Sequence, residues 1–101
     1  MSEPITVVIA KDLEDLVPTF LKNRAKELAT LRSALASGDM EQMRQLGHRM
    51  KGVGNSYGFE LVSTLGRKIE DGAKVGGSGA GLEAAIAEYA DYLARVKIVY
   101  E

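Results

Sequence analysis

The sequence predicts an all-α domain: an antiparallel up-down four-helix bundle with a short N-terminal extended arm and a short leading helix. Three observations carry this reading. Four segments repeat apolar residues at spacings of three and four, the helical period. Short turns separate the segments, which makes up-and-down wiring the economical choice. At 101 residues, 46% hydrophobic and 27% charged, the chain is one domain, residues 1–101, able to bury a core without cross-links.

The elements follow in order. Ile5-Thr6-Val7-Val8-Ile9 is β-branched and apolar, so it is expected to be extended. No partner strand is expected after it, and it reads as an arm laid on the core. A helical pattern starts near Asp12, which can cap, with Asp15 in the first turn. Pro18 suits the first turn of a second, longer helix. Leu21, Ala25, Leu28, Leu31 and Leu35 form its apolar stripe, and Gly38 ends it. Asp39 is the next N-cap, with Gln42 as its reciprocal partner. Met40, Met43, Leu46, Met50, Val53 and Tyr57 line that helix, with Gly47 and Gly54 on the same side, and Gly58 stops it. Leu61, Val62, Leu65, Ile69 and Ala73 mark the third helix. Lys74-Val75-Gly76-Gly77-Ser78-Gly79-Ala80-Gly81 reads as a flexible connector. Leu82, Ala85, Ile86, Tyr89, Leu93 and Val96 are expected on the last helix.

Composition narrows the function classes. The formal net charge of -1 gives no global field toward nucleic acid or an anionic membrane. Cysteine is absent, so thiol catalysis, disulfides and thiolate metal sites are excluded. A single histidine, His48, rules out a multi-histidine metal cluster. Nothing approaches the roughly 18 apolar residues of a membrane span, and no signal peptide is visible. A cytoplasmic location is expected. The initiating methionine and a complete bundle favour a separate protein, expected to be a monomer.

His48 stands out by its placement. At about 100° per residue, the apolar side of its helix centres near Met43, Met50 and Gly54. His48 then points roughly 140–150° away, toward solvent. Arg44 lies one turn before it and Lys51 one turn after, on the same side. Arg44, Arg49 and Lys51 are cations with no acid among residues 44–51. Gly52 is informative as well. A side chain at that position would lean back over the imidazole, and glycine leaves it open at a cost of roughly 1 kcal/mol relative to alanine. Gly52 faces outward, where no packing gain offsets that cost, so access for another surface explains it better than structure does.

His48, Lys51, Gly52 and Gly58, with Leu65-Gly66-x-x-Ile69-Glu70 downstream, resemble the histidine phosphotransfer (HPt) domain of bacterial multistep phosphorelays. The resemblance covers roughly residues 12–98, with its motif in residues 40–74. It implies a four-helix bundle and a phosphorelay intermediate in two-component signal transduction. The histidine takes a phosphoryl group from an aspartyl phosphate on a receiver domain and passes it to another receiver. Such a phosphocarrier is not an enzyme in its own right. No cofactor is expected in this chain, since the receiver supplies the acidic pocket and the Mg²⁺. Expected partners are response-regulator receiver domains and a hybrid histidine kinase, with no nucleic acid and no membrane. Tyr57 departs from the small, polar character usual between Gly52 and Gly58, and helical periodicity turns it inward, off the site.

Phosphoryl transfer needs an in-line nucleophile and compensation for charge on the equatorial oxygens. His48 is the expected phosphoacceptor, with Lys51 first and Arg44 second for phosphoryl stabilisation. Folding back at Gly58 brings residues 67–70 opposite His48, and Glu70 is the only acid among them. By the resemblance, a residue at about this place bonds the imidazole Nδ1, which assigns Glu70 to orientation. Gly52 gives access. Glu41, Gln45, Arg49, Asn55 and Ser56 complete the expected partner face. The alternative is a non-transferring helical module that binds and regulates a receiver or histidine kinase through the same face. A hydrolase triad lacks its nucleophile turn. A dinucleotide loop at Gly52-Val53-Gly54 lacks its preceding strand.

Overall fold

A computed structural model describes residues 3–75 and 79–101. Its elements are a strand β1 (Ile5–Ile9), a 3-10 turn (Lys11–Leu13), four helices α1 (Val17–Ser37), α2 (Met40–Tyr57), α3 (Glu60–Lys74) and α4 (Gly79–Arg95), and a strand β2 (Val96–Tyr100). Each helix packs on the next, and α4 closes back on α1. This is the antiparallel four-helix bundle expected.

The turns explain the sharp reversals. Gly38 and Gly58 end α1 and α2 in the left-handed region, at φ 73° and 87°, which glycine adopts without the Cβ penalty. The Gly38 and Asp39 amides then donate to the last carbonyls of α1. The Asp39 side chain caps α2, accepting from the Gln42 amide at 3.0 Å. The reciprocal half of the expected capping box is not made, because the Asp39 amide already donates to the Ala34 carbonyl at 2.9 Å.

Helices α2 and α3 meet almost backbone to backbone. A Cβ built on Gly47 would lie 2.5 Å from the Glu70 amide nitrogen and 2.7 Å from the Gly66 carbonyl. One on Gly66 would lie 2.6 Å from the Lys51 nitrogen, and one on Gly54 2.5 Å from Ser63 Oγ. The partner positions fall on α3 as they rise on α2, so the pair is antiparallel. Met43, Met50, Leu65 and Ile69 are fully buried beneath this seam.

Five sequence expectations need correction. The N-terminal arm is a strand with a partner: β1 pairs in parallel with β2, Ile5 opposite Val96 through Ile9 opposite Tyr100. Val96 therefore starts a strand and does not close the last helix, while buried Tyr92 belongs to the inward face of α4. Asp12 caps nothing; it sits inside the 3-10 turn, and α1 starts at Val17 with Pro18 in its first turn. The buried face of α1 is rotated from the expected stripe. Val17, Phe20, Arg24, Glu27, Leu31 and Ala34 point inward, whereas Ala25 is exposed and Leu21, Leu28 and Leu35 are half-buried. The rotation has a physical cause. Arg24 and Glu27 pair at 3.3 Å, Glu27 accepts from Tyr89 Oη at 2.9 Å, and the Arg24 guanidinium lies 4.9 Å over the Phe20 ring. A pattern of apolar residues cannot register ionic groups that bury one another. The expected connector is also shorter, since α3 runs through Lys74 and α4 begins at Gly79; its residues 76–78 lie outside the described residues.

Candidate functional site

The site is mounted on the outer face of α2, where α3 approaches most closely. His48 is exposed, with 67% of its side chain accessible, while its neighbours Gly47 and Met50 are buried. Gly47 has no side chain, so α3 can come close enough for Glu70 to reach across. Glu70 Oε2 lies 2.9 Å from His48 Nδ1. The Glu70 side chain is only 4% exposed, so the carboxylate rises from the helix seam rather than from solvent.

Glu70 gathers three cationic or donor groups. Lys51 Nζ is 2.9 Å from Oε1 and Lys74 Nζ is 3.7 Å from Oε2. The Lys51 hydrogen bond, helped by the bond to His48 and by the charges of Lys51 and Lys74, holds the Glu70 carboxyl at about 2 against the opposing effect of burial. An ionised carboxylate can only accept. Nδ1 therefore carries the ring proton when the imidazole is neutral, and the lone pair is on Nε2, away from Glu70.

The other expected residues occupy distinct places. Arg44 is chelated by Glu41 through Nε at 3.2 Å and through Nη2. Gln45 Nε2 also donates to Glu41, at 3.2 Å. Both members of the Arg44–Glu41 pair are accessible, at 37% and 63% of their side chains. A Cβ on Gly52 would meet nothing within 4 Å, so the space above the imidazole is open. Ser56 Oγ bonds the Gly52 carbonyl at 3.1 Å, within its own helix. Asn55 is exposed and lines a groove between α2 and α3 with Lys51, Ser63, Thr64 and Arg67. Arg49 is exposed but turns toward α1. The structure thus brings together His48, Lys51 and Glu70. It holds Arg44 with Glu41 one turn away, and it puts Gln45 and Arg49 on the α1 side. Tyr57 is half-buried, its ring 4.7 Å from that of Phe20, and stays off the site.

Two residues of the site escaped sequence reasoning. Ser63 Oγ donates to the Lys51 carbonyl at 2.7 Å, pinning α2 to α3 just where Lys51 departs. Nothing in its neighbourhood in the sequence marks it. Lys74 joins the Glu70 pair one turn later on α3; the i,i+4 spacing from glutamate to lysine is a readable signal, obscured by assigning Lys74 to the connector. The positive character read on α2 alone is also altered, because Glu41 and Glu70 neutralise Arg44 and Lys51.

Among the described residues there is no cluster of three or more histidine, cysteine or acidic side chains suited to a metal ion, and no helix long and apolar enough to cross a membrane. No curated protein and no solved structure matches the chain. A family model described as Hpt domain matches residues 15–98, a span that takes in all four helices and His48. The chain belongs to the Hpt domain family, phosphocarriers whose histidine passes phosphoryl groups in phosphorelays.

Proposed function

We propose that this protein is a phosphorelay intermediate, accepting a phosphoryl group on His48 from a receiver-domain aspartyl phosphate and passing it to another receiver. The observation that carries the proposal is an exposed imidazole whose Nδ1 is held 2.9 Å from an ionised, nearly buried Glu70. The Nε2 lone pair attacks phosphorus in line. The Nε2–P bond forms as the acyl-phosphate P–O bond breaks, and that electron pair returns to the receiver aspartate. The ring gains positive charge, which the Glu70 carboxylate offsets. Transfer onward reverses these steps on a second aspartate.

Lys51 is proposed to follow the charge. Its ammonium pairs with Glu70 in the free protein, and a half-exposed, flexible side chain can turn to the phosphoryl oxygens as they approach. Arg44 is the second cation, released from Glu41 at the cost of an exposed ion pair, worth little in water. Gly52 keeps the approach open for the receiver surface, and Glu41, Gln45, Asn55 and Ser56 border it. The receiver supplies Mg²⁺ and its acidic pocket.

Incubation with a labelled phospho-receiver tests this reading against a module that binds without transfer. Acid-labile, base-stable phosphate on this chain, lost in His48→Ala, is the expected result. Binding without label, or label that survives His48→Ala, overturns it.

A further inference from the structure

We infer that the cleft between α1 and α2 beside His48 is a specificity pocket that receives a carboxylate side chain of the docked receiver. The inference rests on the phosphorelay reading and adds to it the chemistry of recognition. The cleft measures about 430 Å³ and is lined by Arg24, Lys26 and Glu27 of α1 and by Gln45, Leu46 and Arg49 of α2, among others. His48 stands on α2 between the row that faces α3 (Arg44, Lys51) and the row that faces α1 (Gln45, Arg49). A surface seated over the imidazole therefore also covers the mouth of the cleft.

The charge on the two sides differs. Toward α3, Arg44 and Lys51 are already paired with Glu41 and Glu70. Toward α1, neither Lys26 nor Arg49 has a carboxylate within 4.0 Å among the described residues. Lys26 and Arg49 are thus unpaired cations at the rim of the cleft; on the α3 side Arg67 is likewise without a carboxylate within 4.0 Å among the described residues, in the groove with Lys51 and Asn55. An acidic group on the receiver finds its complement at the cleft rim.

The floor points the same way. Arg24 is only 8% exposed and Glu27 6%; Arg24 Nε is ion-paired with Glu27 Oε1 at 3.3 Å, while Arg24 Nη1 and Glu27 Oε2 are buried without a hydrogen-bond partner. Three cations against one acid select an anion. Glu27 on the floor disfavours a dianion such as phosphate, whereas a single carboxylate suits guanidinium and amide donors.

The test measures transfer from a phospho-receiver as its concentration is varied. Reversing both rim charges, Lys26→Glu with Arg49→Glu, is expected to raise the half-saturating receiver concentration about tenfold or more. The single-turnover rate at saturation stays within about twofold, because neither side chain touches the reacting atoms. Arg32→Glu, also on α1 but lining a different groove with α4 residues, leaves both values unchanged. An acid-to-lysine exchange at one position of the receiver surface restores the affinity of the reversed variant. An unmoved half-saturation, an equal effect from Arg32→Glu, or no restoring exchange overturns the inference while leaving transfer itself intact. Absence of transfer in the unmodified protein overturns the phosphorelay reading and this inference with it.

Discussion

Two glycine-to-alanine substitutions on the same helix are expected to change stability in opposite directions. At Gly52 a new Cβ meets nothing within 4 Å, so Gly52→Ala gains helix propensity alone, about 1 kcal/mol. At Gly47 the same methyl lies 2.5 Å from the Glu70 nitrogen, 2.7 Å from the Gly66 carbonyl and 3.0 Å from the Glu70 Cα. All three are backbone atoms and cannot swing aside. Restoring an ordinary 3.4 Å contact needs α3 to retreat by about 0.9 Å, the difference from 2.5 Å. Overpacking of this kind costs about 1–3 kcal/mol, and backbone contacts put Gly47→Ala at the upper end, so the propensity gain leaves a net loss of about 2 kcal/mol. For a domain of this size each kcal/mol moves Tm by about 4–8 °C. Urea and thermal unfolding should therefore rank the variants Gly52→Ala above the parent and Gly47→Ala well below it. The retreat also carries Glu70 away from His48, stretching the 2.9 Å bond past hydrogen-bonding range. Gly47→Ala should thus slow transfer even at temperatures where it is folded. A Gly47→Ala protein as stable as the parent, or a Gly52→Ala protein destabilised like it, would show that the close helix seam is misread.

Other consequences are equally direct. The Glu70 carboxyl, held at about 2 against an ordinary 4.5, adds stability above pH 4.5 that is lost as pH falls toward 2. Glu70→Gln should therefore unfold in urea with a flatter pH dependence across that window, and an unchanged dependence would contradict the assigned network. Lys51→Ala should slow transfer roughly a hundredfold to a thousandfold, as for loss of one charge-stabilising donor, with the circular dichroism spectrum unchanged. A wild-type rate would transfer the role to Arg44. Ile9, 1% exposed at the end of β1, should cost about 2–5 kcal/mol on replacement by alanine. A loss below about 0.5 kcal/mol in urea unfolding would mean that the strand pair is not part of the folded core.

Helical period, caps and glycine stops made the bundle legible. Asp39, Gly38 and Gly58 mark their turns by chemistry that acts within a few residues. The outward face of His48 followed from the apolar side opposite it. Partners far apart in sequence were harder to read. The β1–β2 pair joins the two ends of the chain across the whole bundle, and the alternation Val96-Lys97-Ile98-Val99-Tyr100 was masked by a helix running straight into it. The Arg24–Glu27–Tyr89 cluster is legible only once α4 lies against α1, because burial of a charged pair depends on what surrounds it. Glu70 was the opposite case. Folding back at one glycine was enough to bring Glu70 opposite His48.

The proposed transfer requires that Glu70 hold Nδ1 and leave Nε2 as the phosphoacceptor. Phosphorus and nitrogen magnetic resonance of the ¹⁵N-histidine protein, phosphorylated by its receiver, tests it directly. A phosphorus–nitrogen coupling to Nε2 of His48, with Nδ1 still protonated, is the expected result. Phosphorus on Nδ1, or on any residue other than His48, would contradict it.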